Sequence, residues 1–125
     1  GIRTSLETNG PDLLTKEAVC LKASCGAGHL DSIFRGLARI DLEKPAPSFE
    51  PIRERLEEME DRENLCTIFF SADARPEFQQ LLEKFRKEKR EFIWFCPVNR
   101  IVRPEINAGI RPYTRLIDVE EGGRL

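Results

Sequence analysis

Residues 64–97 read NLCTIFFSADARPEFQQLLEKFRKEKREFIWFCP, and the fold turns on them. Leu65, Cys66, Ile68, Phe69 and Phe70 form a short apolar run, and Phe92, Ile93, Trp94, Phe95 and Cys96 form a second. Between the two runs, Phe78, Leu81, Leu82 and Phe85 recur at i, i+3, i+4 and i+7, the spacing of one helix face. Strands that are apolar on both sides are the kind that parallel sheets bury on both faces. The stretch therefore predicts a β-α-β unit with a right-handed crossover.

Outward from this unit the signals weaken. Upstream, Glu17 to Cys25 alternates, with Val19, Leu21 and Ala23 on one side, as a strand with one buried face does. Gly26-Ala27-Gly28-His29 breaks it, and Asp31 is the expected N-cap of a helix with Ile33, Phe34, Leu37 and Ile40 on its apolar side. Gly36 inside that helix points to a close contact. Pro45-Ala46-Pro47 ends it. Ser48 caps a second helix, whose thin stripe is Phe49, Ile52, Leu56 and Met59 and whose remaining positions are mostly charged. Downstream, Pro104, Asn107-Ala108-Gly109 and Pro112 mark loop, and Tyr113 to Val119 reads as a last strand, parallel or antiparallel. Residues 1–15 lack periodicity and form an arm that is loose or adds an edge strand. Residues 120–125 form a tail, leaving 16–119 as a single domain. The expected class is α/β, a small three-layer sandwich of order β-α-α-β-α-β-β with a mostly parallel sheet. The alternative is α+β, with a mixed sheet and helices on one face.

A chain of 125 residues with 40% hydrophobic and 34% charged residues has enough material for a core without disulfides or metal. No apolar run approaches the roughly 20 residues that span a bilayer, and no basic segment precedes an apolar one as in a signal peptide. No membrane role is expected. The chain opens on Gly1 rather than Met, which points to a processed chain or a domain of a longer protein. Cys20, Cys66 and Cys96 fall in or at the end of predicted strands, where a free thiol behaves as a small hydrophobe, so a reduced, intracellular protein is expected.

In open parallel sheets, ligands sit beyond the carboxyl ends of the strands. If the three strands share one sheet, the loops carrying Gly26, Gly28 and His29, then Asp73 and Arg75, then Asn99 and Arg100 form one chemically mixed rim. Gly26-x-Gly28 before a helix suits an anion. The dinucleotide fingerprint is nevertheless broken by Asp31 at the third glycine position, and no Walker lysine follows. Cys20, Cys25 and His29 lack zinc-motif spacing, so neither metal nor cofactor is expected. The loop with Cys25 and His29 as base does not resemble the papain or caspase signatures, and no catalytic residue is assigned.

Charge is unevenly spread. Residues 41–63 hold nine acids and four bases, and residues 84–115 hold nine bases and three acids. A basic face built from Arg86, Lys87, Lys89, Arg90, Arg103 and Arg111 would steer an acidic protein partner. The expected function is a non-enzymatic interaction or regulatory domain of a larger intracellular protein. The alternatives are phosphate or nucleotide binding at the rim, and RNA or DNA binding through residues 84–115.

Overall fold

The computed structural model describes residues 2–43, 48–58, 65–99, 101 and 103–119. It contains helices and two sheets, one antiparallel and one parallel, so the chain is mixed α/β. It divides into two compact units, Gly1–Met59 and Glu60–Leu125.

The first unit opens with a hairpin. Strand β1, Thr4–Pro11, pairs antiparallel with β2, Ala18–Ser24. The expected strand after Glu17 thus exists, but it does not join the parallel sheet. It is a half-buried strand, with Val19 its one buried residue, and the segment before it satisfies its backbone through a short turn. Asp12 organises that turn. Its Oδ1 accepts the N–H groups of Leu14 at 2.7 Å and Thr15 at 3.2 Å, and its Oδ2 accepts Arg39 Nε at 2.9 Å. The Leu14 N–H contributes most to holding the Asp12 carboxyl below its ordinary pKa, and Thr15 and Arg39 add to it against the opposing effect of burial.

Helix α1 spans Ala27–Ala38 and helix α2 spans Glu50–Glu58. The cap of α1 is Gly26, at φ 96°, rather than Asp31. Glycine adopts that left-handed geometry without a Cβ penalty, so the helix starts five residues early and Asp31 pairs within it with Arg35 at 2.9 Å. Gly36 faces β2 closely: a Cβ there would lie 3.1 Å from Val19 Cγ1. This turns Phe34 and Leu37 outward, and both are exposed rather than core. In α2, Ile52 and Leu56 are buried, Ser48 Oγ accepts the Glu50 N–H at 3.1 Å, and Arg55 reaches Glu7 of β1 at 2.6 Å. Met59 lies outside the described residues.

The second unit contains the expected β-α-β. Strand β3, Cys66–Phe70, runs parallel to β4, Glu91–Val98, with helix α3, Pro76–Lys87, between them. Strand β5, Thr114–Asp118, adds in parallel on the far side of β4, giving the order β3-β4-β5. Pro76 starts α3, where its missing N–H is tolerated. Phe78, Leu81, Leu82 and Phe85 bury their stripe against the sheet. Phe69 meets Phe78 and Phe85 edge-on at 5.7 and 5.6 Å, and Phe78 meets Trp94 at 5.1 Å. Trp94 Nε1 donates to Ser71 O at 2.8 Å, satisfying the one polar atom on the largest buried side chain. The helix ends in a Schellman turn: Arg90 N–H bonds Phe85 O at 3.0 Å and Lys89 N–H bonds Arg86 O at 3.1 Å.

The connection from β4 to β5 lies on the same side of the sheet as α3, and Gln79 binds the two together. Its Nε2 donates to Ala74 O at 2.7 Å and Glu105 O at 2.9 Å, and its Oε1 accepts the Asn107 N–H at 2.8 Å. Ile106 and Ile110 are buried beneath.

Three tests of this description are direct. Gln79→Leu removes the side-chain partner of three partly buried backbone groups and should destabilise the fold by about 1–2 kcal/mol in denaturant titration; an unchanged midpoint refutes the staple. Lys89 occupies the left-handed position of the Schellman turn at φ 58°, so Lys89→Gly should stabilise by about 1 kcal/mol, raising the thermal midpoint. Because Asp12 has a lowered folded pKa, its contribution is complete above the ordinary value of 3.8 and is lost as pH falls below it. The midpoint difference between wild type and Asp12→Asn should therefore shrink from pH 7 to about pH 2.

Candidate functional site

The residues expected to share one rim are distributed between the two units. Gly26, Gly28 and His29 belong to the first, and Asp73, Arg75 and Asn99 to the second; Arg100 lies outside the described residues. Gly28 and His29 are in the first turn of α1 rather than in a loop, and a His29 ring nitrogen bonds to the Thr4 carbonyl oxygen. In the second unit, Asp73 and Arg75 are occupied with each other. Arg75 Nε and Nη2 donate to the two Asp73 oxygens at 2.9 and 2.8 Å, a bidentate pair. The Arg75 side chain holds the Asp73 carboxyl below its ordinary pKa, and Asp73 raises the guanidinium in return. Asn99 Oδ1 accepts the Ile101 N–H at 2.8 Å, closing a local turn.

A ligand cleft opens where successive crossovers leave to opposite faces of a sheet. In β3-β4-β5 the described parts of both crossovers lie on one face, as two right-handed connections laid down in one direction would. A groove of about 540 Å³ lies along the β4–β5 connection between Glu105, Ile106, Arg111 and Leu116. Arg111 there donates to Ile106 O at 3.0 Å.

The basic residues are mostly tied down locally. Arg86 pairs with Glu83 at 3.1 Å and Arg103 with Asp118 at 2.6 Å. Arg90 is buried, its guanidinium 3.7 Å from the centre of the Phe85 ring and 3.9 Å from Glu88. It packs into the core, and little of it reaches the surface. Lys87 and Lys89 close α3, where the helix dipole favours cations. Tyr113 packs on Phe92, with ring centroids 4.9 Å apart.

Two of the thiols are shifted away from reactivity. Burial pushes the Cys96 thiol up, and partial desolvation of its otherwise exposed site pushes Cys20 up, the direction opposite to that of a reactive thiolate. Cys96 is the one fully buried cysteine; Cys20, Cys25 and Cys66 are exposed, against the expectation that strand positions would bury Cys20 and Cys66. Among the described residues no three His, Cys, Asp or Glu side chains converge as metal ligands would.

The largest anomaly is apolar. Alternation sends Phe69, Phe92, Trp94, Cys96 and Val98 to the inner face of the parallel sheet, under α3. The same alternation sends Cys66, Ile68 and Phe70 of β3, Ile93, Phe95 and Pro97 of β4, and Ile117 of β5 to the opposite, open face. No described element of this unit covers it. Phe70 is 75% exposed and Ile68 55%. Phe70 and Phe95 stack across neighbouring strands, with centroids 5.2 Å apart and planes 15° apart. The sequence carried this signal in the double-sided apolar runs, which demand cover on both sides. Comparison with protein-family models, with curated proteins and with solved structures returns no match for this chain.

Proposed function

We propose that this chain is a non-enzymatic protein-interaction module, and that its contact surface is the open face of the β3-β4-β5 sheet. One observation carries the reading: a contiguous apolar sheet face, including a stacked Phe70–Phe95 pair, stands uncovered within its unit. Soluble chains seldom leave such a patch free unless something occupies it, and the flat apolar surface suits a protein rather than a phosphate or a base. This reading puts the interaction on the sheet rather than on the basic residues, several of which have partners nearby. Covering the open face would also complete a sheet sheltered on both sides, the layered arrangement expected from residues 64–97. Four free cysteines are in keeping with a reducing, intracellular setting.

The test uses a dye that fluoresces on apolar surfaces. At about 0.1 µM, some tenfold below a micromolar dissociation constant, wild type should bind the dye. Phe70→Ser should lose most of that signal, with an unchanged or higher thermal midpoint, because Phe70 is not core. Lys87→Ser, which does not touch the face, should keep it. Equal dye binding by Phe70→Ser and wild type would sink the assignment.

A further inference from the structure

We infer that the occupant of the open face is a second copy of this chain, packed sheet on sheet about a two-fold axis. The inference rests on the protein-interaction reading above and names the partner.

Three features of the face favour a second copy. The first is its shape. Three strands present a flat surface, and two such surfaces stack at about 10 Å with their side chains interleaved, as in any two-layer sheet core. The alternating row of Ile68, Phe70, Ile93, Phe95 and Ile117 supplies the bulky side chains that this spacing needs.

The second feature is size. With Phe70 and Ile68 more than half exposed, Ile117 41% exposed and Ile93, Phe95 and Pro97 partly so, the face offers on the order of 500 Å², in the upper part of the range for a monomer's largest apolar patch, which is often functional. A pair of such faces buries on the order of 1,000 Å², the size at which a specific interface begins.

The third feature is charge. A two-fold interface must be complementary to itself, because residue i of one copy meets residue j of the other and the reverse. Among the described residues of the three strands, the open face carries one acid and one base at its border, both exposed. Glu91 lies at the start of β4 in register with Cys66, and Arg115 lies on β5 in register with Phe95. Arg115 Nη1 is steadied by the carbonyl oxygens of Pro112 and Thr114 at 3.0 and 3.1 Å. A border of opposite signs lets two identical faces meet without net repulsion, whereas a dedicated acidic or basic partner would be matched by a border of one sign.

The experiment is size-exclusion chromatography with light scattering on the full chain, at roughly 100 µM, about 100-fold above a micromolar dissociation constant. Wild type should run at twice the 14.4 kDa chain mass. Phe70→Lys and Ile117→Lys should each run as monomers. The two-fold presents every substitution twice, so each should weaken the dimer at least about 100-fold. Both replaced side chains are exposed, and unchanged thermal midpoints would show that the variants fold. A monomeric wild type overturns the inference. So does a dimer that survives both substitutions. A monomer whose dye binding still depends on Phe70 would refute the second copy while leaving the protein-interaction reading in place; a monomer with no such dependence would end both.

Discussion

The second unit hangs on one steric rule: a strand, its crossover and the next parallel strand turn right-handed. Applied twice in the same direction along β3, β4 and β5, the rule puts α3 and the β4–β5 connection on one face. Everything else about the unit follows from that crowding. The inner face gains an aromatic cluster of Phe69, Phe78, Phe85, Phe92 and Trp94, a buried glutamine stapling helix to connection, and near-complete burial of β4's alternate residues. The outer face gains nothing from its own unit, although its side chains are just as apolar.

Electrostatics works at short range here. Among the bases of residues 84–115, Arg86 pairs with Glu83 and Arg103 with Asp118, while Arg111 bonds a carbonyl oxygen and Arg90 lies against an aromatic ring. The two exposed ion pairs add little stability, typically about 0–1 kcal/mol each. They offset the charges of Arg86 and Arg103 locally, whereas Arg111 and Arg90 keep their full charge. A linear count of bases does not register acids three or fifteen residues away, as Glu83 and Asp118 are.

How far the sequence could be read follows from which forces are local. The elements β3, α3 and β4 were legible because burial imposes a period, and Phe78, Leu81, Leu82 and Phe85 declare that period without reference to anything distant. The doubly apolar strands also announced a need for cover on both faces, which the open face now states as a surface. Strand β1 was not legible. Its residues TSLETNGP lack alternation and include Asn9-Gly10-Pro11, a turn signal that here sits inside an irregular ladder. The partnership of β2 with β1 was hidden too, since a half-buried strand carries no mark of which neighbour fills its hydrogen bonds. Asp31 looked like a cap because aspartate usually is one; a glycine free to take φ 96° stopped the strand earlier and claimed the position. Gln79 gave no signal at all, because its partners are backbone groups 26 and 28 residues downstream.

That last contact bears on the order in which the unit assembles. β3, α3 and β4 are consecutive and hold each other through nearby residues, so they can condense early. The β4–β5 connection has no surface to settle on until α3 presents Gln79, and β5 cannot register Thr114 against Trp94 until the connection has settled. The last strand is thus the last to join and the first to leave. When it leaves, the hydrogen-bonding edge of β4 is bared alongside two apolar faces' worth of side chains, the form of a chain most prone to sticking to its own kind. One buried amide therefore sets how often this molecule visits its aggregation-prone state, far from any surface it uses in its folded form.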